Sequence, residues 1–76
     1  MKNVIENIVK ATSAKIKSDS NVTFIYNTKH CIIAINDNLY IGDNNAEFEK
    51  LENGKTRMHL HPHQVTEAEA IAFLNA

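Results

Sequence analysis

The stretch 30–35, which reads HCIIAI and contains the apolar run CIIAI, constrains the fold more than any other part of this sequence. In a β-strand successive side chains point to opposite faces, so the odd-numbered residues of the stretch oppose Ile32 and Ala34. Neither face of such a strand is polar. The strand is therefore expected to be central and covered on both faces, or to be covered on one face and paired with another subunit on the other.

Strands are also predicted on either side of this stretch. Residues 22–26, VTFIY, are rich in β-branched and aromatic side chains, and the Asn-Thr-Lys segment at 27–29 suits a hairpin turn. The Asn-Asp-Asn segment at 36–38 predicts a second turn, which leads into a strand over 39–41 that Gly42 ends.

A helix is predicted over residues 2–17. Residues at helical spacing cover one side of the helical wheel, and charged residues take the other. The first group comprises Val4, Ile5, Ile8, Val9, Thr12 and Ile16, and the second comprises Lys2, Glu6, Lys10 and Lys17. The Ser-Asp-Ser-Asn segment at 18–21 is expected to end this helix, because short polar side chains compete for backbone hydrogen bonds.

The segment 44–52 has two interpretations. The Asn-Gly pair at 53–54 is a hairpin signal that would place Glu52 opposite Lys55 and return the chain as a strand. A short helix capped by Asn44 would instead bring the large apolar side chains of the segment onto one face. We favour the hairpin, with a bulge that reconciles its register.

A second helix is predicted near residue 66. Thr66 suits the N-cap position and Glu69 completes a capping box. Two glutamates, at 67 and 69, would then lie at the positive end of the helix dipole. The apolar stripe of this helix comprises Ala70, Ile71, Phe73 and Leu74.

The order of these elements predicts a two-layer α+β domain. It consists of an N-terminal helix, a three- to five-stranded antiparallel meander and a C-terminal helix, with both helices on one face of the sheet. The length of 76 residues predicts one small globular domain, residues 1–76. The other face of the sheet is then under-covered, and a homodimer or other homo-oligomer is one way to shelter it.

The charges divide the chain into two unlike parts. Residues 1–30 carry five lysines against two acidic residues, a net charge of +3, whereas residues 31–76 carry three basic against seven acidic residues, a net charge of −4. The whole chain is close to neutral, and one arginine without a basic run makes nucleic acid an unlikely partner. A dipolar molecule with an acidic side is expected to meet a basic partner.

The sequence predicts a cytoplasmic protein. No stretch approaches the roughly 20 apolar residues that a membrane span needs, so no membrane partner is expected. The single cysteine, Cys31, cannot form an internal disulfide, which suits a reducing compartment. Its isoleucine neighbours predict an inert thiol in the core.

Three histidines follow one another at spacing two in the stretch RMHLHPH, residues 57–63. On a strand, His59 and His61 would lie on one face, close enough to share a metal ion. Pro62 redirects the chain before His63, so the third ligand is not aligned with the other two. We therefore prefer a polar outer face for this strand, and a metal site of His59, His61 and His63 is the alternative.

No glycine-rich phosphate loop, nucleophile elbow or Walker pattern occurs in the sequence. We therefore expect a non-enzymatic protein without a cofactor that works by contact with another protein. Class analogy suggests a phage or mobile-element inhibitor of a host nuclease or defence complex. The candidate binding surface comprises His59, His61, Arg57, Glu47, Glu49 and Glu52. The alternative function is a metal sensor or a small metal-dependent hydrolase that uses the histidine stretch.

Overall fold

The computed structural model describes residues 1–42, 48–50, 52–53, 56–58 and 63–76. In chain order its elements are α1 (Lys2–Thr12), β1 (Lys15–Asp19), β2 (Val22–Tyr26), β3 (Cys31–Ile35), β4 (Asn38–Ile41), β5 (Phe48–Lys50), β6 (Thr56–Met58), β7 (Gln64–Val65) and α2 (Glu67–Leu74). The predicted α+β order of helix, antiparallel meander and helix is confirmed. Within this described part, neither helix has the length and apolar character needed to cross a lipid bilayer.

The main sheet has five antiparallel strands in the order β1-β2-β3-β4-β7. Two-residue turns connect β1 with β2 and β3 with β4. In the second of these turns Asn36 and Asp37 have φ values of 51° and 62°. Positive φ at both central residues is the conformation whose twist matches that of a hairpin, and asparagine and aspartate tolerate it well.

β3 is covered on both faces, as its apolar sequence requires. Ile32 is 0% exposed and packs with residues from both helices, among them Ile8 of α1 and Leu74 of α2. On the other face Ile33 is 1% exposed. Both helices therefore lie on one face of the sheet, and β3 is buried on the opposite face as well.

The helix predicted over residues 2–17 is too long. α1 ends at Thr12, because Ser13 takes a left-handed conformation with φ 58° and ψ 23°. The Thr12 hydroxyl donates a hydrogen bond to the Ile8 carbonyl at 2.6 Å and accepts one from the Ala14 N–H at 3.2 Å. β1 follows, and it includes residues 15–17, which were predicted to be helical, and two residues of the segment 18–21, which was predicted to end the helix.

The predicted hairpin over the ambiguous segment is present, but its register differs by one residue. β5 and β6 pair with Glu49 opposite Arg57, whereas a loop of Asn53 and Gly54 alone would have placed Glu49 opposite Met58. The same register pairs Phe48 with Met58 and Lys50 with Thr56.

Asn27 connects the turn between β2 and β3 to the end of α2. Its side-chain amide donates to the Leu74 carbonyl at 2.7 Å, and its side-chain oxygen accepts from the N–H groups of Lys29 at 2.9 Å and His30 at 2.7 Å. The His30 ring also lies 4.3 Å, between centroids, from the ring of Phe73. One side chain thus shapes the predicted turn at 27–29 and holds α2 against the sheet.

The capping box predicted at Thr66 and Glu69 is confirmed. The Thr66 hydroxyl accepts from the Glu69 N–H at 3.1 Å, and the Glu69 carboxylate accepts from the Thr66 N–H at 3.0 Å. The hydrogen bond from the Thr66 backbone lowers the pKa of the Glu69 carboxyl. The hydrogen bond with the Thr66 side chain lowers this pKa further, and so does the electrostatic interaction with His63.

Replacement of Asn27 by alanine is expected to destabilise the fold by about 2 kcal/mol, because the three hydrogen bonds of its side chain are lost. Urea unfolding of Asn27→Ala measures this loss. The exposed neighbour provides a matched control, since Thr28→Ala should change stability by less than about 0.5 kcal/mol. Equal stability of the two variants would contradict this role of Asn27.

The capping carboxylate predicts a pH dependence. Because the pKa of Glu69 is lower in the folded state, its charge stabilises the fold above the unfolded pKa, and this contribution disappears as the pH falls through the folded pKa. Glu69→Gln cannot titrate but keeps an acceptor. The difference in unfolding free energy between wild type and Glu69→Gln should therefore shrink between about pH 6 and about pH 3. A difference that does not change with pH would contradict the assignment.

Candidate functional site

The face of the main sheet that points away from the helices, here called the outer face, carries the candidate site. The strand register places Lys15 opposite Tyr26 and Lys17 opposite Phe24. The next strand places Cys31 beside Tyr26. Directly opposed residues on one face of a sheet are close enough to interact through their side chains. β1 and β2 therefore juxtapose two lysines and two aromatic rings.

One part of the outer face is buried, and another part is exposed to solvent. Val22, Ile33 and Ile35 are buried there. At the end of β4 the chain passes close to Ile33, since a Cβ on Gly42 would lie 2.5 Å from its Cδ1 atom, and the Gly42 N–H donates to the Cys31 carbonyl at 2.9 Å. Glycine thus permits this close approach, and the open part of the face lies over β1 and the adjoining half of β2.

An open groove of about 490 Å³, here called the aromatic groove, occupies this open part. The described residues that line it are Lys17, Asp19, Phe24, Tyr26 and Cys31. The aromatic residues are half-buried, whereas both charged residues are exposed. The groove thus combines an apolar floor with a charged rim.

A second depression of about 350 Å³ lies beside the aromatic groove, near the start of β1. Tyr26 lines both, and Lys15 lies on the rim of the second together with Ser13, Asn27 and Thr28. The positive charge of residues 1–30 is therefore partly concentrated along one continuous surface. Asp19 stands at the opposite end from Lys15 on the same strand.

This arrangement suits a macromolecular segment with both apolar and acidic groups. Tyrosine presents a rigid ring with a polar tip and loses little conformational entropy on binding. Lysine covers apolar surface with its stem while its ammonium group remains in water. Such a groove can therefore bury an apolar side chain and pair an adjacent carboxylate.

The structure corrects the expectation for Cys31. Its side chain is half-buried and lines the aromatic groove, whereas the sequence predicted a core residue. The cause is its position at the start of β3, where Tyr26 is its partner and the buried centre of the strand has not begun.

The surface predicted from the sequence falls mainly on the β5–β6 hairpin. Glu49 and Arg57 are brought to directly opposed positions, and Glu52 is exposed in the turn. Glu47, His59 and His61 lie outside the described residues. This binding surface therefore stays a prediction.

The proposed metal ligands are also incompletely placed. His63 is exposed, and its carbonyl accepts from the Ile41 N–H at 2.9 Å, next to β7. Among the residues that the structure describes, no three side chains of histidine, cysteine, aspartate or glutamate are grouped as metal ligands would be. The metal site stays a prediction that rests on the sequence.

The aromatic groove was not predicted from the sequence, because residues 15–17 of β1 were expected to be helical. The missed signal is the alternation of Lys15, Ile16 and Lys17, which has the period of two expected for a strand. On a strand the two lysines share one face and Ile16 takes the other.

A scan against protein-family models, a search of curated proteins and a search of solved structures found no match to this chain. The geometry of the described residues is therefore the basis for the functional proposals.

If the histidine stretch binds metal, elemental analysis of untagged protein should find about one ion per chain, and the double variant His59→Ala and His61→Ala should lose it. The matched control is His30→Ala, which removes a histidine that stacks on Phe73. Protein without bound zinc, copper or nickel would contradict the metal alternative.

Proposed function

We propose that this protein is a non-enzymatic binding protein whose partner is another protein, and that a segment of the partner occupies the aromatic groove. The observation that carries this proposal is the groove itself, an open depression on the sheet face opposite the helices. Its floor contains Phe24 and Tyr26, and its rim contains Lys17. Tyrosine is enriched among the residues that dominate binding energy at protein interfaces.

The composition of the groove favours a protein over a nucleic acid. Asp19 lies on its rim, and a carboxylate disfavours the approach of a phosphate backbone. The chain as a whole has a net charge of −1, so no long-range attraction to a polyanion is expected. A protein segment with one or two carboxylates meets Lys15 and Lys17 without that penalty.

The more specific role of an inhibitor from a phage or mobile element is part of this proposal. Its support is the net charge of −4 on residues 31–76, with Glu49 and Glu52 on the β5–β6 hairpin. Carboxylates on such a surface would oppose the basic nucleic-acid-binding surface of a nuclease or defence complex. The aromatic groove would then add a second contact to the same complex.

Photo-crosslinking in the cells that express the protein tests the proposal. We expect p-benzoylphenylalanine at Thr28, an exposed residue of the second depression that shares Tyr26 with the aromatic groove, to form a crosslink to one discrete protein, identified by mass spectrometry. The same group at Ala72, exposed on α2, is the matched control and should not form this crosslink. Crosslinks only to nucleic acid, or none that depends on Thr28, would contradict the proposal.

The affinity for the crosslinked partner should depend on the groove. Tyr26→Ala is expected to weaken binding by roughly 30-fold, the loss typical of a residue that dominates an interface, whereas Tyr26→Phe should keep most of the affinity. Charge reversal at Lys17 should weaken binding more than Lys10→Glu, which changes an exposed lysine of α1. Isothermal titration calorimetry measures both comparisons.

A further inference from the structure

We propose that the protein partner contributes an extended strand that pairs with the free edge of β1, and that acidic and apolar side chains alternate along this strand. The inference rests on the proposed function, because it names how the partner binds and what chemistry the groove selects. Strand addition to a sheet edge takes its affinity from main-chain hydrogen bonds and its specificity from pockets for alternate side chains.

β1 lies at one end of the five-stranded sheet, and among the residues that the structure describes it pairs with β2 alone. All five of its residues are exposed. Because a two-residue turn follows Asp19, Asp19 and Val22 form a hydrogen-bonded pair. Hydrogen-bonded and non-hydrogen-bonded pairs then alternate along β1. The backbone groups of Ile16 and Ser18 consequently point away from β2 and are available to a new strand.

Grooves flank this edge on both faces of the sheet. The aromatic groove lies on the outer face, and a third groove of about 380 Å³ lies between β1 and α1 on the helix face. Ile5 and Ile16 are among the residues that line the third groove. Ile16 is 46% exposed, unusually open for a large apolar side chain in the described part of the chain.

The two grooves differ in chemistry, and a strand would present successive side chains to them in turn. Side chains directed to the outer face would meet Lys15 and Lys17, which favours glutamate or aspartate. Side chains directed to the helix face would meet Ile16 and Ile5, which favours valine, isoleucine or leucine, although the oppositely charged Lys2 and Glu6 also line this groove. The incoming segment should thus have the pattern acidic, apolar, acidic, with no acidic residue opposite Asp19.

A second copy of β1 fits this edge less well. In a symmetric antiparallel pairing of two β1 strands centred on Lys17, the two Lys17 side chains would oppose each other, whereas Lys15 would face Asp19 of the other copy. An acidic strand would instead place a carboxylate opposite both lysines, without this repulsion at Lys17. Lys17 therefore favours an acidic strand over a second copy of β1.

A library of random ten-residue peptides displayed on phage, selected against the full-length wild-type protein, tests the inference. We expect the enriched peptides to alternate acidic and apolar residues. A synthetic peptide of the enriched sequence should bind Ser18→Pro about tenfold or more weakly, because proline removes an outward N–H but no bond to β2. Ser18→Ala loses the hydroxyl that lies 3.4 Å from the Thr23 hydroxyl and keeps the N–H, so it should bind normally. Circular dichroism establishes that both variants are folded.

Charge reversal gives a second, independent readout. Repetition of the selection with Lys17→Glu should enrich peptides that carry lysine or arginine where the wild type selects glutamate or aspartate. Selection of the same acidic peptides by this variant would overturn the assignment of the outer face.

Several results would overturn strand addition. These are enrichment of no peptide, enriched peptides without alternation, and equal affinity for Ser18→Pro and wild type. Peptides that lose affinity for Tyr26→Ala but not for Ser18→Pro would overturn strand pairing and leave the proposed function standing.

A dimer in sedimentation velocity that Ser18→Pro dissociates would assign the edge to a second copy. Binding of an oligothymidylate that Lys17→Glu abolishes and Ser18→Pro leaves unchanged would assign the lysines to nucleic acid.

Discussion

Burial of β3 on both of its faces is the constraint on which the rest of the structure depends. The strand carries Ile32 and Ala34 toward the helices and Ile33 and Ile35 toward the outer face, so neither side tolerates water. On the helix face, α1 and α2 supply Ile8, Ala70 and Leu74 to the core. Both helices of the described part of the chain therefore pack on the same face of the sheet.

The degree of burial consequently varies across the width of the outer face. Its centre, at Val22, Ile33 and Ile35, is buried, whereas the part over β1 ends in exposed lysines. Phe24 and Tyr26 lie between these two parts and are half-buried. The aromatic groove thus lies between the buried centre of the sheet and its solvent-exposed edge. A partner bound there would extend the buried part of the outer face by one strand.

The sequence was sufficient for the elements whose local and tertiary preferences agree. The strands at β2 and β3 have β-branched residues on both faces, and the capping box at Thr66 is encoded by residues three apart, so both were predicted. β1 was not, because Thr12 and Ile16 continue the helical spacing of α1 and conceal the alternation of Lys15 to Lys17. α1 ends because the backbone of Ser13 takes a left-handed conformation. Serine has no strong preference for this conformation, so its presence in the sequence does not predict a helix end. The candidate site could not be predicted for the same reason, since it exists only once β1 pairs with β2.

The side chain of Asn27 has a consequence for the order in which the chain folds. Strands β1 to β4 are neighbours in both sequence and space, so each pairing closes a loop of only a few residues. The bond from Asn27 to the Leu74 carbonyl spans 47 residues, and its closure costs more chain entropy. Loop-closure entropy therefore favours formation of the meander before attachment of α2. In that order, Ile25 and Ile32 would lack the cover that Ala70 and Leu74 of α2 supply until α2 attaches, and transiently exposed apolar surface of this kind promotes association.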